Sequence, residues 1–124
     1  MKKLFLLFAL SLLMTACDDF NNPQQGGNST NNDEYYVKYT IKSGGPYLYF
    51  SDIYYADTYG VGSAEKSHSI KSWTITIGPV KKGFKAFVKN EKGTGNNQIE
   101  VSKNIGPFAI KNSGQNSASY TINY

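Results

Sequence analysis

The chain has 124 residues, with 13 Lys against 9 acidic residues, a formal charge of +4 and one Cys. That length holds one small domain and not two, and a single cysteine excludes an intrachain disulfide. There is no Arg, so bidentate recognition of phosphate and guanine readout lack their usual side chain, which argues against nucleic-acid binding.

Met1-Lys2-Lys3 is a basic start, Leu4–Leu13 is apolar but for Ser11, and Thr15-Ala16 are small. Residues 1–16 therefore have the pattern of a secretory signal peptide. Ten helical residues cover about 15 Å, half of a hydrocarbon core about 30 Å thick, so the segment serves export and does not span. The run Leu12-Leu13-Met14-Thr15-Ala16-Cys17 resembles a bacterial lipobox. That resemblance implies cleavage before Cys17 and lipidation of its sulfur, with the membrane as partner. Two acyl chains anchor stably where one does not.

Residues 17–33 read as a disordered linker. Their one large apolar residue is Phe20, too little to offset the entropy of ordering. As a coil the segment reaches roughly 20–25 Å. Asp18-Asp19 resembles the surface-export signal of Bacteroidetes lipoproteins, and equally an inner-membrane retention signal of enteric bacteria. The Arg-free composition, rich in Asn, Lys, Tyr and Ile, favours the former. The expected address is a bacterial cell envelope, lipid-anchored at the outer membrane with exposure at the surface.

Residues 34–124 read as strands. Tyr35–Lys42 alternates, with Tyr35, Val37, Tyr39 and Ile41 on one face and Tyr36, Lys38, Thr40 and Lys42 on the other, the period of a half-buried strand. After Ser43-Gly44-Gly45-Pro46, Tyr47–Tyr55 is a second strand, apolar on both faces. Asp57–Gly62 turns, and Ser63–Ser69 is polar loop. Ser72–Ile77 is a third strand with Trp73, Ile75 and Ile77 inward, ended by Gly78-Pro79 because proline cannot donate to the ladder. Gly83–Lys89 is a fourth, with Phe84, Ala86 and Val88 inward. Asn90–Asn97 is turn chemistry. Gln98–Ser102 is a fifth strand, Asn104-Ile105-Gly106 a hairpin tip and Phe108–Lys111 a sixth strand. Asn112–Ser117 turns, and Ala118–Tyr124 is a seventh strand with Tyr120, Ile122 and Tyr124 inward. Seven short strands separated by turns predict an all-β fold, a seven-stranded antiparallel β-sandwich of immunoglobulin-like size.

The strand signatures are similar to those of mycobacterial MmpS-type accessory lipoproteins and of short Bacteroidetes lipoproteins. The residues concerned are Val37-Lys38-Tyr39-Thr40-Ile41, Asp57-Thr58-Tyr59-Gly60, Trp73, Ile99-Glu100-Val101 and Ala118-Ser119-Tyr120-Thr121-Ile122. The hairpin tip departs from that pattern, which more often has Asn-Gly or Asp-Gly directly. The resemblance implies a small β-sandwich and no catalytic set.

Chemistry-bearing motifs are few. His68 is the one histidine and neighbours Glu65; together with nearby serines it makes a loop more readily than a triad. Zinc needs three or four ligands, and no calcium loop is present, so no metal or cofactor is expected. Gly93-Thr94-Gly95 lacks the Lys and helix start of a phosphate loop. The eleven lysines beyond Asp33, against six acids, read first as solvated strand-edge charges and second as a face for anionic lipid or acidic glycan. The aromatic excess is the remaining signal. Tyr47, Tyr49, Tyr54, Tyr55 and Tyr59 are the candidate binding surface, since tyrosine joins an apolar ring to a polar tip; the competing role is cross-strand packing on outer sheet faces. The expected function is a non-enzymatic, lipid-anchored binding or accessory module with an envelope protein or glycan as partner. The alternative is a small ligand carrier or inhibitor that holds an apolar molecule between the sheets.

Overall fold

The structure, a computed structural model, describes residues 32–124. The expected signal peptide, Cys17 and the linker up to residue 31 lie outside the described residues. Eight strands follow in chain order: β1 (Tyr35–Ser43), β2 (Phe50–Asp57), β3 (Gly60–Ala64), β4 (Ser72–Val80), β5 (Lys85–Gly93), β6 (Gly95–Lys103), β7 (Ala109–Gln115) and β8 (Ser117–Thr121). They form two four-stranded antiparallel sheets, β4-β1-β6-β7 (sheet I) and β3-β2-β5-β8 (sheet II). The protein is an all-β sandwich, with eight strands where the sequence suggested seven.

Alternation fixes β1 at the centre of sheet I. Tyr35, Val37, Tyr39 and Ile41 are fully buried, while Lys38, Thr40 and Lys42 turn outward. Facing them across the core are Phe50, Ile53 and Tyr55 of β2 and Ala86 and Val88 of β5. Ile99 and Val101 of β6 and Ile122, just past β8, complete this core. Tyr39 donates its phenol O–H to the carbonyl of Ala56 at 2.8 Å, which satisfies the one polar atom that its burial would otherwise strand.

Three departures from the strand-by-strand reading have local causes. The Tyr47–Tyr49 part of the expected second strand belongs to a turn, in which Leu48 N–H bonds Gly45 O at 3.2 Å; β2 starts at Phe50. The expected polar stretch from Ser63 contributes to an edge strand, β3, joined to β2 by the short Thr58-Tyr59 tip. Gly78-Pro79 does not end β4. Tyr35 pairs with Val80 and Val37 with Ile77, so β4 carries one extra residue there. Proline is accommodated because β4 is an edge strand and the extra residue forms a bulge. Being at the edge, β4 also leaves Trp73 and Ile75 only partly buried, although both pack on the core.

The largest departure is at Asn90–Asn97 and Asn112–Ser117, both expected as turns. Apart from Thr94 and Asn116, both are strand residues, bent around one corner. Lys89 pairs with Ser117 on one side and Asn96 with Gln115 on the other, so Asn90–Gly95 face the single residue Asn116. Residues 85–121 are therefore one long hairpin with its tip at 104–106, which supplies β5 and β8 to sheet II and β6 and β7 to sheet I. The bend needs left-handed backbone at Gly93 (φ 82°) and Asn116 (φ 65°), the residue types that adopt it at least cost. A Cβ at Gly93 would sit 1.9 Å from the carbonyl oxygen of Tyr49. Asn116 Oδ1 accepts from Gly95 N at 2.9 Å and from Asn90 Nδ2 at 3.2 Å, and Asn97 Nδ2 donates to Asn90 Oδ1 at 3.0 Å. Here Asn and Gly bend a continuing strand pair and do not reverse it.

Candidate functional site

The outer face of sheet I is concave, with polar side chains from all four strands, and turns apolar at Tyr36 and Ile110 towards the hairpin tip. Its rows follow from the strand register. Lys42 pairs with Ser72 and Asn96, Thr40 with Thr74 and Gln98, and Lys38 with Thr76 and Glu100; Asn96 meets Gln115 and Gln98 meets Ser113 on β7. Of these, Lys38, Thr40, Lys42, Thr74, Asn96, Gln98, Glu100, Ser113 and Gln115 line a concavity of about 640 Å³, inside the roughly 300–1,000 Å³ range of small-molecule sites. Gln98 Nε2 donates to Glu100 Oε2 at 3.0 Å, which orients the carboxylate. Lys38 Nζ lies 3.9 Å from Glu100 Oε1 and 4.7 Å from the centroid of the Phe108 ring.

A second concavity, of about 430 Å³, opens towards the hairpin tip and is lined by Tyr36, Thr76, Ser102, Ile105, Gly106 and Phe108. Asn104 and Ile105 both take left-handed backbone, at φ 52° and 62°. This is the twist of a two-residue hairpin turn, in which Asn-Gly is the usual pair. Ile105 fills the glycine position and is 80% exposed. The tip is braced by Ser102 Oγ donating to Gly106 O at 2.6 Å and Gly106 N–H to Lys103 O at 3.0 Å. Asn104 also ties the tip to the start of the domain, accepting from Glu34 N at 2.9 Å and donating to Asp33 Oδ1 at 2.9 Å.

The five candidate tyrosines do not form one surface. Tyr47 and Tyr49 project from the turn before β2, and Tyr59 stands on the hairpin tip at the other end of that strand. Tyr49 lies beneath Lys71 Nζ at 5.1 Å. Tyr54 is half-buried, its hydroxyl hydrogen-bonded by Lys66 and its ring 4.5 Å from Lys66 Nζ and 5.7 Å from Lys89 Nζ. Tyr55 is a core residue at 8% exposure, with ring centroids 5.9 Å from Tyr39 and 5.3 Å from Trp73. Burial pushes its phenol pKa above the ordinary value, with the Asp57 carboxylate adding to the shift. Cys17 lies outside the described residues.

His68 Nδ1 meets Glu65 Oε1 at 2.8 Å on an exposed loop. No group of three His, Cys, Asp or Glu placed to hold a metal ion occurs among the described residues. The groove of sheet I is the site that sequence reasoning missed. Its signal was the polar half of each alternating strand, Lys38-Thr40-Lys42, Thr74-Thr76 and Gln98-Glu100.

Fold and surface together define a small antiparallel β-sandwich with a grooved outer sheet. The chain matches no protein-family model, no curated protein and no solved structure at a significant level.

Proposed function

We propose that this chain is a non-enzymatic binding or accessory module of a bacterial envelope, anchored through lipid on Cys17, and that the outer face of sheet I is its binding site. The observation that carries the binding role is the concavity of about 640 Å³, to which all four strands of sheet I contribute polar side chains. The signal-peptide pattern and Cys17 support the anchor, and the strand signatures similar to MmpS-type lipoproteins support an accessory role. The carrier alternative has less support, because both concavities open on the outside of sheet I while the residues that face each other between the sheets are packed together and buried.

Two measurements test the reading. Cys17→Ser should move the protein from the membrane fraction to the soluble fraction and abolish lipid labelling; retention in the membrane overturns the anchor. A photo-crosslinking residue at Thr74 or Gln98 should give adducts in the living host, whereas one at Ser119, on the outside of sheet II, should not. Equal yields from all three positions, or none, overturn the binding site.

A further inference from the structure

The two concavities on sheet I differ in chemistry and share a border. The larger presents hydroxyl, amide and ammonium groups from Thr40, Thr74, Gln98 and Lys42. The smaller presents Tyr36, Ile105 and Phe108. Lys38 lies at their boundary, lining the first while resting over the Phe108 ring that lines the second. Both run along β1, where Tyr36 and Lys42 are six residues apart, about 20 Å at about 3.4 Å per residue.

Charge in the groove is unbalanced. Two lysines, Lys38 and Lys42, face one carboxylate, Glu100. At 3.9 Å the Lys38–Glu100 contact is longer than a hydrogen bond, so Lys38 keeps its donors available. No ion pair to Lys42 is seen among the described residues.

Ile105 gives the apolar end its significance. A β-branched residue in the left-handed region is an outlier, and such strain persists where the surroundings impose it, often at ligand sites. Here it holds a large apolar side chain in solvent beside Phe108. Glycine would suit that backbone better, so packing stability does not explain the residue, whereas contact with a ligand does.

We infer that the two concavities form one groove for a single anionic amphiphile. Its hydrocarbon tail lies on Tyr36, Ile105 and Phe108, and its phosphate or carboxylate head lies between Lys38 and Lys42, hydrogen-bonded by Thr40 and Gln98. A free sugar would leave the apolar end bare, and a plain hydrocarbon would cover the polar end without satisfying it. This inference rests on the reading of sheet I as the binding face.

The test uses the full chain with Cys17→Ser, so that no lipid of its own competes. The probes are dodecyl phosphate below its micelle concentration, inorganic phosphate, dodecyl maltoside and phosphatidylglycerol vesicles, read by backbone amide shifts. Dodecyl phosphate should move amides at both ends, Thr40 and Gln98 together with Ile105 and Gly106. It should bind at least about tenfold more tightly than inorganic phosphate or dodecyl maltoside, a difference of about 1.4 kcal/mol. Ile105→Gly should keep or raise the melting temperature yet weaken dodecyl phosphate about tenfold. Lys42→Gln should weaken dodecyl phosphate and leave dodecyl maltoside unchanged. Shifts confined to one concavity, equal affinity for dodecyl maltoside, or binding to vesicles alone would overturn the proposal. If crosslinks from Thr74 and Gln98 persist while dodecyl phosphate fails to bind, the amphiphile assignment falls and the binding face stands.

Discussion

Tyr39 combines a fully buried phenol with a specific partner. Burial pushes its pKa far above the ordinary tyrosine value, and the folded state therefore holds the proton more tightly than the unfolded chain does. That contribution to stability is fully present below the unfolded value of about 10 and is lost as pH rises through the folded one. Tyr39→Phe should flatten the alkaline limb of a stability–pH curve, and at neutral pH should cost about 1–3 kcal/mol by leaving Ala56 O unpaired. A limb as steep as the parent's would assign it to Tyr55 and Tyr124, whose pKa values burial also raises. Asp52 shows the opposite sign. Its carboxylate accepts Ser67 N–H at 2.7 Å, and that bond, with Lys92 and Lys66 nearby, holds its pKa below the usual value. Its stabilisation is present above about pH 4 and is lost as pH falls through the folded pKa. Asp52→Asn should flatten the acid limb, as read by urea midpoints between pH 2 and 6. Trp73, read from sequence as inward, does pack on Tyr55, but from an edge strand. Trp73→Ala should accordingly cost less than the ~3–5 kcal/mol of a fully buried large aromatic. The neighbouring pair Tyr54 and Tyr55 shows the limit of reading single residues. Both look alike in sequence, and only the facing sheet decides that one ring enters the core while the other lies under lysines.

The corner at Asn116 is where elements, more than residues, carry the fold. Asn116→Gly keeps the left-handed backbone but loses the acceptor for Gly95 N–H and Asn90 Nδ2. Asn116→Ala loses the acceptor and strains the backbone as well. The alanine variant should therefore be the less stable of the two, by about 1 kcal/mol for the backbone alone, as measured by thermal melting. Equal stabilities would mean that the bend is fixed elsewhere. The corner was illegible in sequence for a physical reason. Gly, Asn and Ser supply positive φ whether a chain reverses or merely bends, so composition identifies the conformation and not its purpose. Strands with apolar–polar alternation, such as β1, were legible because one face must be buried. β3 was not, because an edge strand with the sequence Gly-Val-Gly-Ser-Ala needs almost no apolar face. The groove was legible only as separate polar positions, since its hollow is made by four strands distant in sequence.

At the scale of the whole molecule, each sheet ends in two edges. β4 carries the proline bulge and β7 carries Lys111, both devices that discourage pairing with other chains. β3 and β8 have neither charge nor proline, but of the two only β3 exposes a large apolar side chain, Val61 at 67%. Its shortness is its main protection. At high concentration the protein should associate through this edge. Val61→Lys should reduce that association in sedimentation experiments without changing the melting temperature. Unchanged association would place the contact on another surface. The long bent hairpin joins the sheets covalently and by hydrogen bonds, so neither sheet has a complete set of strands without the other. β1 gives the molecule a mechanical polarity as well. It lies between β4 and β6, and the rungs of both ladders run across it. Tension applied at Asp33 along the strand loads both ladders in shear, and many rungs must fail together. Tension applied at Tyr124 first meets Ile122, buried and hydrogen-bonded to Gly83 and Phe84, and then edge strand β8, which is held by one ladder. Force entering at the start of the domain is thus shared by two ladders, and force entering at its end by Ile122 and one ladder.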